Sequence, residues 1–154
     1  MQNHIKSETR LALIQFIFSS YFSDLSIDEY SKDFEKYFNK LSISSIDQNE
    51  EFLINFNKNY FNKLTSNYNN FIKNNNVENI INSLINFDRR FNSWDYINKS
   101  IILSIFSELE ITKKEKIKIL LNDYLNISKF LIPKKELGMI NAITDKYINE
   151  KNII

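Results

Sequence analysis

The amino-acid sequence predicts an all-α protein of about seven helices, on the basis of its composition and its periodicity. One glycine and one proline in 154 residues is far below ordinary usage. Strand-rich domains need such residues in their turns, so their scarcity favours helices. Apolar residues recur at intervals of three and four along most of the chain. With 43% hydrophobic residues, the chain can bury a substantial core, and we expect a single domain over residues 1–154.

Three helices are predicted in the first half of the chain. Ser7 is a candidate cap for the first helix, whose apolar positions continue to Tyr21. Ser26 and Glu29 form a capping-box pattern that opens a second helix, with apolar positions reaching Leu41. A third helix, or two consecutive ones with a break near residues 65–67, is predicted over residues 52–71. No sheet is expected.

Four more helices are predicted after a loop at residues 74–76. The first covers residues 77–85, and the second carries an apolar stripe over residues 94–109 that is wide enough to be buried on most sides. A capping box at residues 112–115 opens the third, and the last contains residues 139–147. Both Pro133 and Gly138 are assigned to the bend between the last two helices. We expect Gly138 to have a positive φ or to allow a close helix approach, so that Gly138→Val destabilises the fold.

Catalytic chemistry finds little support in the sequence. The absence of cysteine excludes disulfides and thiolate nucleophiles, and His4 is the only histidine. A single glycine excludes a phosphate-cradling glycine loop, and the acidic pair Glu50–Glu51 is typical of a solvated face. We therefore expect no enzyme activity, no catalytic residues, no cofactor and no metal. No apolar run is long enough to span a membrane, which predicts a cytoplasmic protein without a membrane partner.

The overall charge of +1, from 20 basic and 19 acidic residues, is not a nucleic-acid signature, but the basic residues are clustered. Lys6 and Arg10 lie one turn apart near the N-terminus. If the first helix packs beside the last, these residues and the C-terminal lysines form one positive surface. There, lysines would bind phosphates, and an exposed Phe130 or Met139 would meet an unstacked base. The C-terminal lysines are Lys113, Lys114, Lys116, Lys118, Lys129, Lys134 and Lys135.

Each of these candidates also has a purely structural interpretation. A lysine-rich face in a lysine-rich protein can simply be solvated. Asn122 and Asn141 can each be a satisfied polar group that joins helix ends. For Asn122, within an apolar run, the structural role is favoured; for Asn141, structural and RNA-facing roles both stay open.

The C-terminal stretch carries Asn122, Lys129 and Phe130, then Asn141 and Asp145, and in these residues it resembles the bacterial transcription antitermination factor NusB family. That family carries a pattern close to V-x-I-N-E-x-(V/I)-x-(L/V)-A-K-x-F, a short loop, then (F/M)-V-N-G-V-L-D. The N-terminal segment over residues 6–18 is similar to the family's opening R-x-x-A-R-x-x-A-x-Q-A-L-Y, and residues 107–109 to the end of its central helix. The residues that stand at matching C-terminal positions are Asn122, Lys129, Phe130, Asn141 and Asp145.

The resemblance implies both a fold and a function. NusB-like proteins are all-helical, with two small helical bundles packed together. They bind a linear single-stranded boxA RNA together with NusE, a small-subunit ribosomal protein, and the complex helps RNA polymerase pass terminators, notably on ribosomal RNA operons. By position, NusE would contact Phe18 and Asn98. The residues to which the resemblance assigns RNA binding are Lys6, Arg10, Lys134, Lys135, Met139 and Asn141.

Two other functions stay open. One is the NusB-like domain of an RNA cytosine methyltransferase, which requires a Rossmann-type domain with a glycine-rich cofactor loop that this sequence lacks. The other is a helical interaction module without an RNA role. Binding to a single-stranded A/U-rich RNA, with and without NusE, separates the antitermination factor from the interaction module.

Overall fold

A computed structural model describes residues 3–37, 41–44, 51–54 and 56–151, with side chains for residues 4–34 and 56–151. The side chains of Phe38, Glu50 and Glu51 lie outside the described residues. Seven α-helices occupy the described ranges, which confirms the all-α prediction. They are α1 (Asn3–Ser20), α2 (Ile27–Tyr37), α3 (Lys58–Asn74), α4 (Val77–Leu84), α5 (Tyr96–Leu109), α6 (Ile117–Ser128) and α7 (Lys134–Lys151).

A short β-hairpin between α2 and α3 was not predicted. Strand β1 (Leu41–Ser44) pairs antiparallel with β2 (Glu51–Ile54), with Leu41 opposite Ile54. The sequence-based expectation of no sheet, and of helix at residues 41 and 52–54, is wrong. Residues 41–44 alternate apolar and polar with period two, and residues 52–54 form a short apolar run. Such a run does not distinguish a strand from a buried helix by periodicity alone.

The predicted helix starts agree with the structure at α2 and differ at α1 and α6. Ser26 caps α2, because its Oγ accepts a hydrogen bond from the Glu29 backbone N–H at 3.3 Å. Ser7 lies inside α1, which begins four residues earlier. Thr112 donates its hydroxyl to the Glu108 carbonyl at 2.6 Å, and a 3₁₀ turn (Lys114–Lys116) precedes α6.

Helix α3 is continuous, without the break considered near residues 65–67. Asn57 caps its start and accepts a hydrogen bond from the Tyr60 N–H at 2.8 Å. The helix ends at Asn74, where the sequence predicted a loop, and Asn76 caps α4 in the same way by accepting from the Asn79 N–H at 3.1 Å. Asparagine therefore starts and ends helices here, a role that glycine and proline often have in other proteins.

Helix α5 is the centre of the molecule. Every residue from Asn98 to Leu109 is buried, as its wide apolar stripe predicts. It contacts α1, α3, α6 and α7, so it is shared between two sets of helices. In one set, the Phe16 ring of α1 contacts Tyr30, Phe34 and Phe61. In the other, Phe106 of α5 stacks on Tyr147 of α7 with 4.0 Å between ring centroids.

The bend before α7 differs from the prediction. Pro133 ends the bend, and its carbonyl accepts the first helical hydrogen bond from the Leu137 N–H at 3.0 Å. Gly138 lies inside α7, without a positive φ, and a Cβ built there meets no atom within 4 Å. The prediction that Gly138 is structurally demanding is wrong, because the proline alone forms the bend.

Gly138→Ala is expected to stabilise the protein by about 0.5–1 kcal/mol, because alanine in an exposed helix interior loses less backbone entropy on folding. Urea unfolding followed by circular dichroism measures the change. Ala142→Gly, at an exposed position of the same helix, is the matched control and should destabilise by a similar amount. A lower unfolding midpoint for Gly138→Ala would contradict the helical assignment of Gly138.

Candidate nucleic-acid interface

The start of α1 lies against α6, so the structure does bring the N-terminal basic segment to the C-terminal helices. Ser7 donates its hydroxyl to the Asp123 carboxylate, and Arg10 Nη1 lies 2.6 Å from Asp123 Oδ2. Lys6 is half-buried at this end of α1, one turn before Arg10. The neighbour of α1 here is the middle of α6, whereas the single positive surface considered from the sequence required α1 to pack beside the last helix.

Arg10 is 7% exposed and is held by two carboxylates. Its Nη2 donates to Glu108 Oε2 at 2.8 Å, and its Nε lies 3.1 Å from both Glu108 oxygens. Burial alone would lower the pKa of Arg10, but hydrogen bonds and charge from Glu108 and Asp123 raise it above its usual value. A phosphate could reach this guanidinium only by displacing the buried Glu108 carboxylate or the half-buried Asp123 carboxylate. We therefore remove Arg10 from the predicted RNA surface.

The bend between α6 and α7 presents exposed lysines and one exposed aromatic ring. Lys134 and Lys135 are exposed at the start of α7, and Lys129 is exposed at the end of α6. Phe130 is 91% exposed. The turn that holds it is defined, because the Leu131 and Ile132 N–H groups both donate to the Ser128 carbonyl and Ile132 is buried.

The two remaining predicted RNA-binding residues have different surroundings. Asn141 is exposed on α7, seven residues after Lys134 and so on the same helix face. Met139 is half-buried and packs against the hydrophobic core. Asn141 is available for hydrogen bonds, whereas Met139 offers only its outer edge.

The start of α1 and the bend contact different levels of α5. Arg10 binds Glu108 near the end of α5, whereas Glu136 of α7 accepts a hydrogen bond from Asn98 near its start. Ten residues of α-helix separate Asn98 from Glu108, which is about 15 Å along the axis. A ligand that touches both segments must therefore be extended.

An exposed aromatic patch lies at the end of α1 and the start of α5, and we define it by Phe18, Phe22 and Tyr96. The ring of Phe22 contacts those of Phe18 and Tyr96, at centroid distances of 5.3 and 5.4 Å. Phe22 is 67% exposed and Tyr96 is 44% exposed. The sequence resemblance points only to Phe18, although the four-residue spacing of Phe18 and Phe22 is a signal for the pair.

The aromatic patch is supported from its buried side. Tyr21 stacks on Tyr96 with a centroid distance of 4.7 Å and an interplanar angle of 11°. The Lys99 ammonium lies 5.4 Å from the Tyr96 centroid and 5.6 Å from that of Tyr21, a cation–π arrangement. Burial, followed by the nearby Tyr96, raises the pKa of Tyr21 to about 12. The patch is thus held in place by packing.

Asn98 does not belong to this exposed patch. It is 1% exposed, and its Nδ2 donates to Glu136 Oε1 at 3.2 Å. A buried side chain cannot contact a partner protein, so the prediction for Asn98 is withdrawn. Its observed contact instead joins the start of α5, next to the aromatic patch, to the start of α7 at the bend.

Comparisons with family models, with curated proteins and with solved structures find no match to this chain. In the part of the chain that the structure describes, no helix has both the length and the apolar character to cross a membrane.

Arg10→Ala is expected to destabilise the protein by about 3–5 kcal/mol, because it leaves the buried Glu108 carboxylate without its cation. Urea unfolding measures the loss. Arg90→Ala, at an exposed arginine, is the matched control and should change the free energy of unfolding by less than about 0.5 kcal/mol. Equal effects of the two substitutions would show that Arg10 does not have the buried role described here.

Proposed function

We propose that this protein is a transcription antitermination or elongation factor that binds a single-stranded boxA-type RNA together with NusE and supports transcription of ribosomal RNA operons. The observation that carries the proposal is Phe130, 91% exposed in a bend where Lys129, Lys134 and Lys135 are also exposed. The match of the C-terminal residues to the NusB pattern supports the same conclusion.

The chemistry of this bend suits single-stranded RNA. An aromatic ring offers a stacking surface for any base, worth about 1–3 kcal/mol per base. Lysines beside it bind phosphates and release condensed counterions. A phenylalanine left almost fully in water contributes little to folding, so its ring is available for a ligand.

The other proposed RNA contacts are assigned from the solvent exposure of the predicted side chains. Asn141 shares a face of α7 with Lys134 and can both donate to and accept from a base edge. Met139 would provide an apolar contact at its exposed edge, and Lys6 would add a phosphate contact beside α6. With Arg10 occupied by Glu108 and Asp123, fewer cations remain for RNA at α1. We therefore expect weak RNA binding without NusE.

The aromatic patch is the proposed NusE surface. Exposed, well-supported aromatic side chains are typical of protein interfaces and often contribute most of the binding energy. Tyr96 is two residues from Asn98, which binds Glu136 in the first turn of α7. A partner on the patch would therefore lie close to an RNA at the bend, and the two ligands could contact each other.

A second candidate function is a protein-interaction module without an RNA role. The aromatic patch favours it, because Phe22 and Tyr96 by themselves require only a protein partner. The exposed Phe130 among lysines favours RNA. An RNA-binding domain of a cytosine methyltransferase would use the same bend, with its catalytic domain outside these residues.

Phe130→Ala and Lys135→Ala are expected to weaken RNA binding in different ways. For an A/U-rich single strand, Lys135→Ala should make the slope of log affinity against log salt shallower by about 0.7. Phe130→Ala should cost about 1–3 kcal/mol with the salt slope unchanged, because stacking releases no ions. Fluorescence anisotropy over a salt series measures both quantities.

Lys58→Ala is the control for this experiment, because Lys58 is exposed at the start of α3. It should leave affinity and slope close to those of the unmodified protein. If Lys58→Ala matters as much as Lys135→Ala, binding is diffuse electrostatics and the bend is not the site. If the unmodified protein binds no RNA with or without NusE, the proposed function fails.

Phe22→Ala is expected to weaken NusE binding more than about tenfold, the effect of losing a central aromatic contact. Isothermal titration calorimetry measures it. Phe87→Ala, at a phenylalanine that is 36% exposed between α4 and α5, is the matched control. RNA affinity measured without NusE should not change in either variant. Equal NusE affinities for Phe22→Ala and the control would exclude the patch as the partner surface.

A further inference from the structure

A lysine–apolar pair occurs near the start of α6 and again in the turn directly after it. Lys118 precedes Ile119, and Lys129 precedes Phe130, eleven residues further along. Eleven residues are about three helical turns, and Lys129, directly after the last residue of α6, still donates its N–H to the Leu125 carbonyl at 3.1 Å. The two lysines therefore share a face, about 16 Å apart, and Phe130 lies in the turn that follows Lys129. Two asparagines lie between the pairs on that face. We call this set the α6 stripe: Lys118, Ile119, Asn122, Asn126, Lys129 and Phe130.

The α6 stripe is exposed along its whole length. Ile119 is 60% exposed and Phe130 is 91% exposed, and Asn122 and Asn126 between them are exposed as well. The opposite face of α6 is buried in the core. Ile119 and Phe130 are therefore apolar side chains in addition to those that the core uses. The buried residues of α6 are Ile117, Leu120, Tyr124 and Ser128.

The charges around the stripe suit an anion. Asp123 is the one acidic residue of α6; its side chain is 18% exposed and bonded to Ser7 and Arg10. Glu115 is exposed in the turn before α6, next to the exposed Lys114 and Lys116. The stripe itself therefore presents two lysines, two amides and two apolar side chains, without a carboxylate.

We propose that the RNA does not end at the bend but runs along the α6 stripe as far as Lys118, an inference that rests on the proposed function. Phe130 stacks on one base, and Ile119 provides an apolar contact for a second base. The Asn122 amide offers donors and an acceptor to the base edges, and the Asn126 amide offers its donors, since its Oδ1 accepts a hydrogen bond from Lys129 Nζ at 3.4 Å. Lys118 and Lys129 bind the phosphates at the two ends.

The start of α1 forms one border of this track. Ser7 and Arg10 both bind Asp123, which follows Asn122 in the middle of α6. Lys6, half-buried, precedes Ser7 in the same turn of α1. Arg10 is thus a positioning residue, which holds α1 against α6 without contacting RNA.

The composition of the stripe favours RNA over a protein partner. Lysine is depleted in protein–protein interfaces, whereas single-strand binding surfaces combine lysines with apolar side chains that meet base faces. Asparagine amides at regular helical spacing add hydrogen-bonding groups that suit base edges. A protein on this face is one outcome of the test below.

The test uses labelled A/U-rich RNAs of about twelve and about four nucleotides, both within the range of single-strand site sizes. Fluorescence anisotropy compares the unmodified protein with Ile119→Ala, Asn122→Ala and Phe130→Ala. With the long RNA, Ile119→Ala and Asn122→Ala should each weaken binding about fivefold, from lost apolar burial and lost hydrogen bonds. With the short RNA, Phe130→Ala should still weaken binding. At least one of Ile119→Ala and Asn122→Ala should leave the affinity for the short RNA unchanged.

Leu25→Ala is the matched apolar control, because Leu25 is 46% exposed in the segment before α2. If Phe130→Ala weakens the long RNA but Ile119→Ala and Asn122→Ala equal this control, the RNA is confined to the bend; the stripe inference is then wrong and the proposed function stands. If Ile119→Ala changes only NusE binding or self-association, the stripe is a protein surface. If the unmodified protein binds neither RNA, the proposed function and this inference fail together.

Discussion

The arrangement of the helices depends on the hydrogen bonds and the ion pair made by the buried Glu108 carboxylate. Glu108 lies on α5, is 2% exposed, and accepts hydrogen bonds from Arg10 of α1, Tyr60 of α3 and Tyr124 of α6. One side chain thus connects four helices. Burying such an ion costs several kcal/mol unless its oxygens are satisfied, so only a packing that brings all three donors to α5 is favourable. Burial, and then the charge of Glu108, raises the pKa of Tyr60 and of Tyr124, which keeps both hydroxyls protonated as donors.

This network also decides which basic residues are available for function. Arg10 matches an RNA-contacting position of the family that the sequence resembles, yet its guanidinium is bound by Glu108 and Asp123. In the proposed site, anion binding therefore depends mainly on the exposed lysines of α6, the bend and α7. Those lysines surround side chains that the core leaves outside, above all Phe130. The candidate site consequently moves from the first helix to the last two.

The start of α5 brings the two candidate surfaces together. Tyr96 belongs to the aromatic patch, and the buried Asn98 two residues later binds Glu136 at the start of α7. The same short segment therefore holds the aromatic patch and contacts the first turn of α7 at the lysine-rich bend. A factor that requires RNA and a partner protein together would benefit from this proximity, because each ligand would stabilise the surface next to the other.

The sequence by itself determined the fold class and most of the helices. Helical periodicity, the Ser26 cap and the Asn74 boundary are local, so they could be predicted from neighbouring residues alone. The structure was needed for properties that depend on distant residues. The pairing of β1 with β2 depends on a second strand, and the start of α7 directly after Pro133 leaves Gly138 in an ordinary turn of helix.

Helix packing also determines which side chains are buried and which are exposed. It buries Arg10 and Asn98 and leaves Phe130 and Ile119 exposed. An arginine one turn from a lysine has the same local pattern whether it meets a phosphate or a buried carboxylate. Only the tertiary structure brings Glu108, ninety-eight residues away in the sequence, to within 2.8 Å of Arg10. The physical reason is that periodicity records which face of a helix is apolar, whereas the partner of a charge is set by the packing of whole helices.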